Sequence, residues 1–169
     1  MPSKEIKNNV KIMINHIIKI KTEKILPTET VKIFTARSKQ LWLQPQTSEY
    51  LTEIFELLQT ALSDQIPVGI SYDFTTRQIL GAFYPSVEKI LGLKDSQVFG
   101  EEVIVVTTTS LRPTKIFLLK DHERFSELYE QLSQAYAKAK TGVLAALAVP
   151  GHEIHDVLIL EPHAPYYGK

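Results

Sequence analysis

TSEYLTEIFELLQTALSD at residues 47–64 and DHERFSELYEQLSQAYAKAK at residues 121–140 decide how the chain is read. Their apolar positions coincide at one constant offset of 74 residues: Leu51 with Phe125, Ile54 with Leu128, Phe55 with Tyr129, Leu58 with Leu132, Ala61 with Ala135 and Leu62 with Tyr136. Each set follows the i, i+3, i+4, i+7, i+10, i+11 spacing of an amphipathic helix. A pattern repeated at a fixed period points to a duplicated structural unit. The flanks agree. Ile116-Phe117-Leu118 echoes Leu41-Trp42-Leu43 ahead of each helix.

Strands are expected on both sides of each helix. Before the first they run Thr30 to Ala36 and Gln40 to Gln44, and after it Val68 to Asp73 and Gln78 to Tyr84. Around the second they run Val103 to Thr109, Thr114 to Leu119, Val143 to Val149 and Asp156 to Leu160. Alternating or continuous apolar runs bounded by Pro, Gly and Asp carry these assignments. Pro85 to Leu91 reads as a short helix closed by Gly92, and Lys94 to Gly100 as a linker. Asp121 is the expected cap of the second helix.

Residues 3–20 read as a helix with Ser3 as its N-cap. Ile6, Val10, Met13, Ile14, Ile17 and Ile20 form one stripe, and Lys4, Lys7 and Lys11 lie opposite. The run is rich in β-branched residues, so Ile17 to Leu26 is alternatively a strand. The expected fold class is α+β. It has two pseudo-repeated ββαββ units, mainly antiparallel sheet with helices packed on it, preceded by an N-terminal amphipathic helix. The divisions are residues 1–26, 27–93 and 101–169 within one compact domain.

Composition bounds the function. Apolar content is 44% and charged content 22%, ordinary for a folded soluble protein. No apolar run approaches the roughly 20 residues that span a bilayer, and the N-terminus lacks a secretory apolar core. The chain holds no cysteine, which removes disulfides, thiol nucleophiles and cysteine zinc sites together. The expected setting is the cytoplasm, with no membrane partner. The net charge of zero conceals a polarity. Residues 1–44 hold nine Lys and Arg against three Asp and Glu, and the remainder ten against sixteen. A basic section can meet a phosphate backbone, an acidic partner, or the chain's own body.

Two basic turns stand at matching places. Arg37 and Lys39 occupy the first, with Thr35 and Ser38. Arg112 and Lys115 occupy the second, with Thr107, Thr108, Thr109 and Ser110. Hydroxyls and cations together are what phosphate contacts use. The hairpin around residues 73–77 carries Tyr72, Phe74 and Arg77, residue types that carry interface energy. His152, His155 and His163 stand among Glu153, Asp156 and Glu161, a composition that could hold a zinc ion and activate water. Their spacing argues against it, because a tight hairpin leaves His152 and His163 roughly 20 Å apart. No nucleophile elbow, phosphate loop or H-E-x-x-H motif is present, and no cofactor is implied. The leading expectation is a non-enzymatic protein-binding or assembly module that self-associates as a homo-oligomer. Nucleic-acid binding through the N-terminal helix and the basic turns is the alternative, and a metal-dependent hydrolase the third reading.

Overall fold

Between Val10 and Ile25 eight of sixteen residues are β-branched, namely Val10, Ile12, Ile14, Ile17, Ile18, Ile20, Thr22 and Ile25. Such side chains lose rotamer freedom in a helix and pack well on a pleated surface. In the computed structural model, which describes residues 9–25, 28–37, 40–110 and 115–160, this run forms two strands. They are β1, Val10–Asn15, and β2, Ile17–Ile25, separated by His16. The N-terminal amphipathic helix is thus overturned where the chain is described; Ser3, Lys4, Ile6 and Lys7 lie outside the described residues.

The chain divides into two units, Met1–Tyr84 and Pro85–Lys169. In unit 1, β1 and β2 are followed by β3 (Thr28–Thr35), β4 (Leu41–Leu43), α1 (Glu49–Asp64), β5 (Val68–Asp73) and β6 (Ile79–Phe83). The strands form two antiparallel sheets, ordered β1-β5-β6 and β2-β3-β4. A parallel bridge between Trp42 and Gln78 links β4 to the β6 end. In unit 2 the order recurs: β7 (Ser86–Glu88), β8 (Ile90–Val98), β9 (Glu101–Thr108), β10 (Ile116–Leu119), α2 (Phe125–Ala137), β11 (Leu144–Ala148) and β12 (Asp156–Leu160). Its sheets are β7-β11-β12 and β8-β9-β10, and a parallel bridge joins Phe117 to Glu153.

Each unit is therefore ββββαββ, not ββαββ. Strands hold 50% of the described residues and helices 25%, so these are mostly β, with twelve strands in four small sheets and two α-helices. The expected short helix after Pro85 and the expected linker are instead β7 and β8. The physical reason is shared by both units. Each second strand carries a register shift near its start, between Ile17 and Lys19 in one and between Ile90 and Gly92 in the other. The extra residues, Ile18 and Leu91, are turned out and exposed. A bulge interrupts the period-2 pattern that identifies a strand.

The helices bury matching residues. Ile54, Leu58 and Ala61 of α1 pack into a core with Val31, Ile33, Leu41, Leu43, Val68 and Ile70. Leu128, Leu132 and Ala135 of α2 pack with Ile104, Val106, Ile116, Leu118, Ala145 and Leu147. Tyr129 and Tyr136, expected in the buried stripe, are 38% and 49% exposed. Ser48 caps α1, its Oγ accepting from the Leu51 N–H at 3.0 Å. Asp121 does not cap α2, which starts four residues later behind Arg124.

The two helical segments stop differently. Gln65 ends α1 at φ 56°, whereas Gly142 follows α2 at φ 93°. Left-handed backbone costs a non-glycine residue roughly 1 kcal/mol or more. Gln65→Gly is therefore expected to raise stability by up to about 1 kcal/mol, after the entropy that glycine loses on folding. Urea denaturation of the variant beside the wild-type chain measures it.

Candidate functional site

The turn of the β5–β6 hairpin in unit 1 is held from several directions. Asp73 Oδ1 accepts from the N–H groups of Thr75 and Thr76 at 2.8 and 2.9 Å. These backbone donors, Thr76 foremost, hold the Asp73 carboxyl below its ordinary pKa. The Arg77 N–H donates to the Asp73 carbonyl at 2.8 Å, and the Trp42 indole N–H to the Thr76 carbonyl at 2.8 Å. The Phe74 N–H donates to the Asn9 carbonyl at 2.7 Å. Behind the turn, the Phe83 ring lies across Gly69, where a Cβ would come within 2.3 Å of it.

This framework displays Phe74, 47% exposed, with a cation at two positions on its ring. Lys11 Nζ lies 4.4 Å from the ring centroid and the Arg77 guanidinium 5.6 Å from it. Both distances suit a cation–π contact, worth about 0.5–1 kcal/mol when exposed and ~2 kcal/mol or more when desolvated. Arg77 takes this place at φ 69°, a conformation arginine adopts at some cost. The fold thus gathers Lys11, Phe74 and Arg77, which the sequence could name but not assemble. Tyr72, named with them, points the other way and is buried at 4% exposure in the core.

The other basic candidates do not join them. The Arg37 guanidinium donates to the Ile14 carbonyl at 2.8 Å, and its backbone N–H to Asn15 Oδ1 at 2.8 Å. Those bonds fix the corner between β1 and β3. Lys115 is exposed at the start of β10. Lys4, Lys7, Lys39 and Arg112 lie outside the described residues. The helix that the nucleic-acid reading required is absent over residues 9–25, where β1 and β2 stand instead.

The histidine candidates sit around the β11–β12 hairpin of unit 2. His155 donates its N–H to the Ala148 carbonyl, and the His152 carbonyl accepts from Phe117; His163 lies outside the described residues. Among the described residues no three His, Cys, Asp or Glu side chains are placed to hold a metal ion. What the hairpin does hold is an ion pair. Arg124 Nη2 lies 3.1 Å from Oδ1 of Asp156, which is fully buried, and Arg124 Nε lies 2.8 Å from Glu127. Burial works against the Arg124 charge, and the Glu127 hydrogen bond with the Asp156 field outweighs it, so its pKa is raised. Elsewhere in unit 2, Lys120 pairs with Asp95, and an open cleft of about 290 Å³ is lined by Glu101, Glu102, Lys120 and Asp121.

Two imidazoles resist protonation. Burial lowers the pKa of His16, and burial with the charges of Arg124 and His155 lowers that of His122. The unfolded chain then binds protons that the folded one refuses. Their contribution to stability is complete above the ordinary imidazole pKa and is lost as pH falls toward the folded values. The thermal midpoint is expected to drop between about pH 7 and pH 5, and His16→Gln with His122→Gln to flatten that window.

Sequence reasoning missed the tip of the β8–β9 hairpin. Val98 pairs with Glu101, leaving Phe99-Gly100 as a two-residue loop at φ 51° and 80°. Positive φ at both positions marks a type I′ turn, which favours Asn-Gly. Phe99 is 101% exposed. The usable signal is Gly100, two residues after Val98, masked by the unusual phenylalanine between them.

No protein-family model, curated protein or solved structure matches the chain. No described helix is long and apolar enough to cross a membrane.

Proposed function

We propose that the chain is a non-enzymatic protein-binding and assembly module that self-associates through the exposed turn of unit 1. The observation that carries this reading is the Lys11–Phe74–Arg77 group, a half-exposed ring in contact with two cations on a turn pinned by Asp73 and Trp42. Interface energy concentrates in aromatic and arginine side chains that are already ordered before binding. A rigid turn supplies both features. The cations become worth more once a partner excludes water from them. The cytoplasm is the setting this reading takes.

The partner surface for such a group is apolar at its centre and acidic at its rim. Phe74→Ala and Arg77→Glu each remove one component without touching the core. Each is expected to weaken association about ten- to thirtyfold, the size of an interface anchor. Light scattering of the variants at matched concentrations measures it. Association unchanged in both variants would remove this turn from the interface.

A further inference from the structure

The β8–β9 hairpin of unit 2 carries the chemistry that the turn of unit 1 lacks. β10 pairs with Val103–Val106, and the Lys120 N–H just after it donates to the Glu102 carbonyl at 3.0 Å, so only the last pair of the hairpin, Val98 with Glu101, lies beyond the third strand. At that tip Phe99 is entirely solvent-exposed, in a left-handed conformation that disfavours a bulky residue. Asparagine or glycine would fit the turn with less strain. A side chain that strains its own backbone and is fully exposed among the described residues gains little for folding. Such a mismatch is characteristic of contact sites. The stem carries Glu101 and Glu102 beside the tip, both exposed, with Lys120 paired to Asp95 and its charge also reaching Glu102.

We propose that this tip docks on the Lys11–Phe74–Arg77 turn of a second copy of the chain. Phe99 packs on the exposed face of the Phe74 ring, and Glu101 and Glu102 face Lys11 and Arg77. The two surfaces complement each other in charge, and each presents one aromatic ring at its centre. The Asp73 carboxylate beside the turn stays ionised, its Oδ1 held by two backbone N–H groups, and Lys11 with Arg77 still leaves the turn one net positive charge. Tip and turn are different surfaces, so each contact uses one of each, and two copies can exchange one such contact or two. This rests on the self-association reading above and names its second surface.

Two variants separate the halves. Phe99→Asn removes the tip's ring and suits the turn better, so its thermal midpoint is expected to rise by a few degrees. Arg77→Glu reverses charge at the turn and leaves the tip intact. Sedimentation equilibrium from low micromolar to near-millimolar concentration, at low salt, is expected to show each variant alone as single chains. Mixed, the intact turn of one meets the intact tip of the other, and the mass rises to two chains and stops there. A Phe99→Asn protein that associates like the wild-type chain overturns the docking, as does a mixture that stays at single-chain mass. A wild-type chain that is itself monomeric throughout instead overturns the self-association reading beneath it.

Discussion

Leu132→Ala is expected to cost about 3 kcal/mol, and Leu58→Ala the same within about 1 kcal/mol. Both leucines are fully buried and stand at the middle of the buried stripe of α2 and α1. Removing most of a buried leucine forfeits its transfer free energy and leaves a cavity, together ~2–5 kcal/mol depending on how far the walls relax. Leu132 is walled by β-branched and leucine side chains from two sheets, Ile104, Val106, Ile116, Leu118 and Leu147. Val31, Ile33, Leu41, Leu43 and Ile70 do the same for Leu58. Stiff walls collapse little, which places both substitutions away from the low end of that range. Urea denaturation measures each cost. The only tryptophan, Trp42, lies in unit 1, so its fluorescence follows the Leu58 variant, and circular dichroism follows the Leu132 variant. A cost below about 1 kcal/mol at either position would mean that its helix does not bury this stripe.

Arg124→Ala is expected to cost about 2–3 kcal/mol. The substitution strips the guanidinium from an aspartate with no exposed surface, Asp156. Breaking a buried pair from one side costs ~3–5 kcal/mol, because a charge is left behind without its partner. Arg124 keeps 28% of its side chain exposed, so water reaches the pair and the cost falls to the bottom of that range or just below it. Asp156→Asn is the informative companion. It removes the charge, keeps the shape, and leaves Arg124 bonded to Glu127. In the double variant Arg124→Ala, Asp156→Asn the loss is expected to fall well short of the two single losses added together, as it does for groups in contact. Additive losses would show that the pair does not interact in solution.

The helices were legible because burial and period agree there. Leu58 and Leu132 must face a core, and only a 3.6-residue period brings Ile54 and Ala61, or Leu128 and Ala135, alongside them. The segment before each repeat was not legible. Val10, Met13, Ile14, Ile17 and Ile20 satisfy a helical stripe because β1 and β2 are out of phase across His16. Two short strands offset in phase imitate one helix. In the second repeat the same bulge, at Leu91, and the loop glycine at Gly100 made β8 look like a linker. At the candidate site the types were readable and the assembly was not. Lys11 and Phe74 are far apart in sequence and meet only because β1 pairs with β5, which aligns Lys11 with Tyr72. Phe99 escaped notice because the short hairpin loops that sequence patterns recognise have asparagine or aspartate where it stands. The place where local preference is violated is the place the proposed interface uses.

The most direct test needs no substitution. The weight-average mass of the wild-type chain, followed by sedimentation equilibrium over a wide concentration range, is expected to climb from one chain to two or more at low salt. It should return toward one chain as salt screens the glutamates from Lys11 and Arg77. A single-chain mass at every concentration and ionic strength would contradict the assembly reading outright.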